Sequence, residues 1–253
     1  MSQDSNSAMS HRRQWKRRAL GQHYLIDSSV ADMMVRLAAI EKGDRVLEIG
    51  TGKGALTRRL LGLSDRFEAF ELDEENYLAT KELNLGDGVL HFGDAFADSR
   101  EFDILVSSLP YSESSNFVEW LGRHRYERAV LLLQRDFVEK LLAHPGSDKY
   151  RAISVISQIS CDAKVERYVA RESFDPPPKV SSAVVIMRPR EVLSLEETRL
   201  VKLLFSQRRR KLSGALRQLG LGIQRTDLQQ LGMRVKDLSP LNFRLVLDNL
   251  EVV

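Results

Sequence analysis

RVLEIGTGKGALT, residues 45–57, is the stretch of sequence that decides the fold. An apolar strand runs directly into a turn that contains Gly50, Gly52 and Gly54, with Glu48 two residues before the first glycine. Glycines at such a turn let the backbone pass close to a ligand, as they do in α/β sheets that bind nucleotides. The stretch therefore predicts the first strand of a Rossmann-like sheet with a cofactor at its carboxyl end.

Apolar runs continue on the C-terminal side of this stretch and alternate with helical spacing. RFEAFEL, VLHFG, FDILVSS and RAVLLLQ each have the composition of buried strands. Such alternation predicts a parallel sheet with crossover helices. The β-branched stretches ISVISQI (153–159) and SAVVIMRP (182–189) are predicted to form an antiparallel pair that closes one edge of this sheet. On the N-terminal side, apolar spacing from Val30 predicts an amphipathic helix capped by Asp27 or Ser28.

Leucine-rich helical spacing begins after Pro189 and predicts a small helical domain. Its last helix is expected to begin at Ser239 as N-cap with Pro240 at the first helical position, and Leu238 and Phe243 take the two positions of a hydrophobic staple. We predict three segments: a basic, flexible tail over residues 1–18, an α/β domain over 19–190 and a helical domain over 191–253.

The overall composition excludes several protein classes. The 43% of hydrophobic residues suffices for a core, and the formal charge of +3 is only mildly basic. A single cysteine, Cys161, excludes an internal disulfide and suits a reducing compartment. No apolar run is long enough to span a membrane, and no signal sequence is evident at the N-terminus, so we expect a cytoplasmic protein. The five histidines lack metal-ligand spacing, and no metal site is expected.

Two acidic residues lie where a cofactor nucleoside would need them. Glu71 ends the second strand twenty-one residues after Gly50, where its carboxylate can accept both ribose hydroxyls. Asp94 follows the third strand and can accept a hydrogen bond from an adenine amine. A glycine turn followed by such an acid is also the NAD fingerprint, so NAD is an alternative. The third fingerprint glycine is replaced by Ala55, which favours a methyl donor.

The fourth strand ends in Ser107-Ser108-Leu109-Pro110-Tyr111. A polar residue, an apolar residue and Pro-Tyr at the switch point of an α/β sheet are typical of amino-methyltransferases, which hold a flipped base beside the methyl donor. Strand alternation favours Ser108 as the side chain that faces the base, and Ser107 would replace it only if the strand end shifted by one residue.

With these motifs in place, the chain resembles the small-subunit rRNA adenine N6,N6-dimethyltransferase family of KsgA type, and in particular its archaeal-like short members. The resemblance runs from about Lys16 to the C-terminus. The segments that carry it are LGQHYLID (20–27), EIGTGKGALT (48–57), ELD (71–73), GDAF (93–96), SLPY (108–111), YRAISVISQ (150–158), SFDPPPKVSSAVV (173–185) and LFSQRRRKLSGAL (204–216). It implies a class I S-adenosylmethionine methyltransferase fold with a small helical C-terminal domain.

The resemblance also implies a role for each matching residue. The side-chain oxygen of Ser108 and the carbonyl of Leu109 or Pro110 would accept hydrogen bonds from the target amine, and Tyr111 and Phe174 would stack on the flipped adenine. The cofactor contacts would come from Gln22 and Leu25 at the methionine end, Gly50 and Gly52 on its carboxylate side, Glu71 at the ribose, and Asp94 with Ala95 at the adenine. Tyr24, Leu72 and Ser108 are expected to bind the cofactor as well.

Basic residues accumulate between Thr198 and Thr226, where no acidic residue occurs. Such a run is often only a solvated face, but next to a base-flipping domain it predicts contacts with RNA phosphates. The residues expected to bind RNA are Arg208, Arg209, Arg210, Lys211 and Lys179. The partner that the resemblance implies is small-subunit rRNA within a partly assembled subunit, bound by a monomer.

Two other functions remain open. Position 108 is Ser, whereas the family typically has Asn there, so the chain could be an rRNA-binding assembly factor whose catalysis is weak or lost. It could also modify large-subunit rRNA, as the erythromycin-resistance methyltransferases do with the same fold and cofactor site. The YRAISVISQ and SFDPPPKV segments favour the small-subunit group.

Overall fold

A computed structural model describes residues 23–86 and 88–251 of the protein. The strands in this part of the chain are β1 (Tyr24–Leu25), β2 (Arg45–Ile49), β3 (Arg66–Glu71), β4 (Leu90–Phe92), β5 (Ile104–Ser107), β6 (Arg128–Gln134), β7 (Cys161–Val169), β8 (Phe174–Asp175), β9 (Ser182–Pro189), β10 (Gly222–Ile223) and β11 (Leu250–Glu251). The α-helices are α1 (Ser28–Ala38), α2 (Thr57–Leu60), α3 (Glu74–Lys81), α4 (Ser114–Leu121), α5 (Arg135–Leu141), α6 (Ala152–Ser160), α7 (Leu195–Ser206), α8 (Leu212–Leu219) and α9 (Pro240–Leu247).

Seven of these strands form one sheet in the order β4-β3-β2-β5-β6-β9-β7. The five strands from β4 to β6 run parallel, and Ile49 at the end of β2 pairs with Phe70 of β3 and Ser107 of β5. This arrangement confirms the predicted parallel sheet, and it brings the carboxyl ends of β2, β3 and β5 to the same edge. Ligands of open α/β sheets bind at that edge.

The prediction of a strand over ISVISQI was wrong, because residues 152–160 form helix α6. Seven of its nine residues are buried, three serines among them, so hardly any of the helix faces solvent. A short apolar run of this kind cannot be distinguished from a buried strand by periodicity. The strand on this side of the sheet is β7, which begins at Cys161 directly after the helix, and β9 lies between β7 and β6.

The described chain divides into two compact units. The first contains the residues up to 114, together with 126–135 and 165–186. Its helix α1 begins as predicted, because the Asp27 side chain accepts hydrogen bonds from the backbone N–H groups of Ser29 (2.9 Å) and Val30 (3.3 Å). The apolar face of this helix contributes Val30 and Met34 to the core of the unit.

The second unit contains residues 115–125, 136–164 and those from 187 onward. The C-terminal helices thus belong to one compact unit with two segments that the prediction places in the α/β domain, and they share a hydrophobic core with residues of the second segment. The Tyr150 hydroxyl donates to the carbonyl of Leu238 at 2.9 Å, inside this core. Helix α9 starts as expected, with Ser239 as N-cap, and the staple residues Leu238 and Phe243 are both fully buried.

The described residues hold no helix with the length and apolar character that crossing a membrane requires. Over the same residues, no group of three His, Cys, Asp or Glu side chains is placed to hold a metal ion. The predicted tail over residues 1–18 lies outside the described residues.

Candidate active site

The glycine turn after β2 is held against the end of β3 by the carboxylate of Glu71. One oxygen of this carboxylate accepts the backbone N–H of Gly52 at 2.8 Å, and the other accepts that of Asp73 at 2.9 Å. Gly50 and Gly52 have φ angles of +78° and +55°, which residues with a side chain rarely adopt. The Thr51 hydroxyl donates to the same Glu71 oxygen as Gly52, at 3.3 Å, so a side-chain donor adds to the two backbone donors that hold the carboxylate.

A cavity of about 370 Å³ opens beside this turn, at the carboxyl ends of β2, β3, β4 and β5. Glu71 and Leu72 line one side of it, and Asp94 and Ala95 line another. One carboxylate oxygen of Asp94 accepts the N–H of Phe96 at 2.9 Å and so fixes the turn that follows β4. The cavity wall therefore combines apolar surface with carboxylate acceptors, as a bound nucleoside requires.

Strand β1 closes over the same turn. The Tyr24 hydroxyl donates to the side-chain oxygen of Asn76 at 3.0 Å, and a side chain at position 52 would meet the Tyr24 ring at 3.2 Å. Tyr24 and Leu25 both line a narrow cavity on this side of the turn. The structure thus brings together the residues expected to contact the cofactor, except Gln22, which lies outside the described residues.

Glu48 is the most deeply buried carboxyl group beside these cavities. It is the last residue but one of β2, is 0% exposed, and borders the narrow cavity that Ser108 also lines. Burial raises the pKa of Glu48 to about 8, and the nearby Glu71 carboxylate adds to the rise. Thr57 offsets the rise in part, although among the described residues neither Glu48 oxygen makes a hydrogen bond of regular geometry. The group is therefore largely protonated at neutral pH.

The two serines at the end of β5 have different surroundings. The Ser107 hydroxyl is buried and donates to the carbonyl of Ile49 at 2.6 Å, across to the neighbouring strand β2. Ser108 lines both cavities on the Tyr24 side of the glycine turn. Since strand geometry turns consecutive side chains to opposite faces, Ser108 is the serine that can face a substrate.

The segment after Ser108 contains two backbone carbonyls and an aromatic ring. The Pro110 carbonyl already accepts the N–H of Glu113 at 3.0 Å, which favours the carbonyl of Leu109 as a further acceptor. The Tyr111 hydroxyl is hydrogen-bonded to that of Ser182 at 2.6 Å, and burial raises its pKa. Phe174 is only 2% exposed and packs in the core of the first unit.

His23 also lines these cavities, although it was not among the residues predicted for the site. Its Nδ1–H donates to the carbonyl of Pro176 at 2.7 Å, so in the neutral ring Nε2 is an acceptor. The ring lies 5.4 Å from that of Tyr111 and lines both cavities together with Ser108. The only signal in the sequence was its place beside Gln22 in the LGQHYLID segment.

The predicted RNA-binding residues of the second unit form the turn between α7 and α8, which we call the basic turn (Arg208, Arg209, Arg210 and Lys211). Three of its side chains are exposed, whereas that of Arg208 is half-buried, with its guanidinium 6.0 Å from the centre of the Phe205 ring. Arg208 thus also packs within its own unit. Lys179 is exposed in the first unit.

The chain is similar to proteins of one family. The family model described as Ribosomal RNA adenine dimethylase matches residues 13–251. Ribosomal RNA small subunit methyltransferase A of Phenylobacterium zucineum is 35% identical over 223 residues, which cover 81% of this chain and 78% of that protein. The probable ribosomal RNA small subunit methyltransferase A of Thermococcus gammatolerans is 36% identical over 206 residues, or 79% of this chain and 74% of that protein.

Two crystal structures have similar folds. A dimethyladenosine transferase from Plasmodium falciparum matches with a TM-score of 0.74 and 26% identity, covering 89% of this chain and 96% of that one. The 23S rRNA methyltransferase ErmE matches with a TM-score of 0.64 over 89% of this chain and 98% of that one. Its identity is 20%, so this second match shows a shared fold alone.

Proposed function

The chain belongs to the ribosomal RNA adenine dimethylase family, and we propose that it transfers methyl groups from S-adenosylmethionine to the N6 amine of adenosines in small-subunit rRNA. One observation carries the proposal. Ser108 and Pro110 line a cavity together with the glycine turn and Glu71, so a base and a methyl donor can meet there. The two methyl groups per base follow from the family. The chain is proposed to act as a monomer on a partly assembled subunit.

The described residues fit S-adenosylmethionine. Both oxygens of Glu71 are fixed by backbone N–H donors, so the carboxylate is already oriented for the two hydroxyls of a ribose. Asp94 lines the same cavity and can accept from an adenine amine. The cavities lined by Tyr24 and Leu25, beyond the glycine turn, would hold the methionine end. We therefore assign Leu72 and Ala95 to the walls around the nucleoside and Gly50 and Gly52 to its methionine side.

The chemistry requires the protein to orient the amine rather than to supply a nucleophile. The cofactor provides an electrophilic methyl group on a sulfonium. Adenine's amine is a weak nucleophile because its lone pair is delocalised into the ring, and acceptors aimed at its hydrogens help it to pyramidalise. The Ser108 hydroxyl and the Leu109 carbonyl are the acceptors we propose, and positioning in line with the methyl group accounts for most of the rate.

Tyr111 is proposed to stack on one face of the flipped adenine. Stacking on an aromatic side chain contributes about 1 to 3 kcal/mol per base, which offsets much of the cost of unstacking. We also propose Phe174 for the opposite face. Because its ring is buried in the core, that contact requires the paired strands β1 and β8 to shift when the base enters.

RNA phosphates are proposed to contact the basic turn in the second unit and Lys179 in the first. The exposed guanidinium and ammonium groups of the turn can neutralise phosphates and release their counterions. This contact would position the RNA without reading its sequence.

A methyl-transfer assay with labelled S-adenosylmethionine and under-methylated small subunits tests the proposal. We expect label in N6,N6-dimethyladenosine of the small-subunit rRNA. Label in large-subunit rRNA alone would replace the proposed substrate with that of the erythromycin-resistance enzymes. Binding to the small subunit without any transfer would support an assembly factor, the alternative that Ser108 favours.

A further inference from the structure

Tyr168 is an exposed aromatic side chain with a cation against it. It is the last residue but one of β7, the strand at the end of the sheet order, and 55% of its surface is exposed. The guanidinium carbon of Arg135 lies 5.0 Å from the centre of the ring. An aromatic ring and a guanidinium in this arrangement attract each other, and both can stack on a planar ligand.

The pair lies at the edge of the sheet that carries the target-base site. Arg135 directly follows β6, which runs parallel to β5, and Ser108 directly follows β5. The N–H of Arg135 donates to the carbonyl of Ser181 at 3.0 Å, and the hydroxyl of the next residue, Ser182, is hydrogen-bonded to that of Tyr111 at 2.6 Å. Two consecutive residues thus connect Arg135 to the ring proposed to hold the adenine.

The pair can stack on the base that a flipped adenosine leaves behind. When a base leaves its stack, the neighbouring base loses one stacking partner, and an aromatic platform can replace that partner regardless of the base's identity. The Arg135 guanidinium adds a positive charge that suits the adjacent phosphate. None of the roles assigned above uses Tyr168, and its exposed ring contributes little to the core.

We propose that Tyr168 and Arg135 form a stacking platform for the nucleobase next to the methylated adenosine. The inference rests on the proposed function, since it requires an RNA substrate in the site. It adds a binding position for a second nucleotide, outside the cavities that hold the cofactor and the target base.

The test compares Tyr168→Ala, Tyr168→Phe and Phe92→Ala. Binding to under-methylated small subunits is measured by filter retention without cofactor, so that catalysis does not enter. Phe92 is the matched control, because its ring is 57% exposed on β4, at the opposite end of the sheet order. We expect Tyr168→Ala to weaken binding about fivefold to a hundredfold, as the loss of one stacked base predicts. Tyr168→Phe and Phe92→Ala should stay within about twofold of the natural protein, since stacking needs the ring but not the hydroxyl.

Ultraviolet crosslinking identifies what the ring contacts. The natural protein should form a crosslink from Tyr168 to rRNA next to the modified adenosine. A crosslink to a ribosomal protein, or a Tyr168→Ala affinity equal to that of the natural protein, would overturn the platform while leaving the methyltransferase proposal intact. If the natural protein does not bind the subunit, that result contradicts the proposed function, and the platform is refuted together with it. Unchanged thermal midpoints and cofactor affinities in the variants would exclude a folding effect.

Discussion

Replacing Glu48 with glutamine should make the stability of the protein less dependent on pH. Glu48 is fully buried in β2, and its pKa in the folded protein is about 8, against an ordinary value of 4.5. Below pH 4.5 the group is protonated in both the folded and the unfolded chain. Between pH 4.5 and about 8 the unfolded chain loses the proton and the folded chain keeps it. The free energy of unfolding therefore decreases as the pH rises through this window.

The size of this effect follows from the two pKa values. Each unit of difference corresponds to about 1.4 kcal/mol, so Glu48 lowers the free energy of unfolding by about 3 kcal/mol at pH 7 relative to pH 4.5, and by about 5 kcal/mol above pH 8. Glutamine has nearly the same shape and carries no charge at any of these pH values. A buried amide adds its own cost of about 1 to 3 kcal/mol if its N–H groups find no acceptor, but that cost is independent of pH.

Urea unfolding of the natural protein and Glu48→Gln at pH 5 and pH 8 measures the difference. We expect the free energy of unfolding of the variant minus that of the natural protein to be about 3 to 4 kcal/mol higher at pH 8 than at pH 5, because only the natural protein loses stability over this range. Glu41→Gln removes an exposed carboxylate and serves as the control, with the same small change at both pH values. If Glu48→Gln also shifted stability equally at both pH values, Glu48 would be ionised in the folded protein and the reasoning from burial would fail.

Three further predictions concern the proposed reaction. Glu71→Ala should weaken S-adenosylmethionine binding in calorimetry by about tenfold or more, because the ribose hydroxyls lose charge-assisted hydrogen bonds, and unchanged affinity would remove Glu71 from the site. In single-turnover assays Ser108→Asn should be faster than the natural protein and Ser108→Ala slower, by about tenfold to a hundredfold for one transition-state hydrogen bond of about 1 to 3 kcal/mol. A natural rate for Ser108→Ala would show that the hydroxyl does not touch the amine. Joint alanine substitution of Arg209, Arg210 and Lys211, which spares the half-buried Arg208, should reduce the salt dependence of RNA binding by about 2 in logarithmic slope and leave cofactor affinity unchanged. Normal methylation by this variant at physiological salt would mean that these side chains form only a solvated surface.

The structure shows where reasoning from local sequence succeeds. The parallel strands, the cap at Asp27 and the start of α9 at Ser239 were all predicted, because each depends on residues that are neighbours in the chain. The proximity of Glu71 and Asp94 was predictable for a related reason. Glu71 and Asp94 follow strands whose carboxyl ends must meet at one edge once the sheet is parallel, so their positions in the chain determine their proximity.

Tertiary structure decided which segments and side chains are buried, and the properties that follow from burial could not be predicted from local sequence. The residues 152–160 form a helix with seven of nine residues buried, and the periodicity of so short a run does not distinguish such a helix from a buried strand. Burial turned Glu48 from an ordinary carboxyl group into one with a pKa of about 8, and it also withdraws the Ser107 hydroxyl, which donates to the carbonyl of Ile49 in the neighbouring strand. The sequence by itself determined the fold class and the order of the site residues along the sheet. Tertiary structure decided the protonation of Glu48, which of the two serines can face a substrate, and the exposure of Tyr168 beside Arg135. These features depend on the exclusion of solvent and on contacts between distant segments, and no local sequence pattern encodes either.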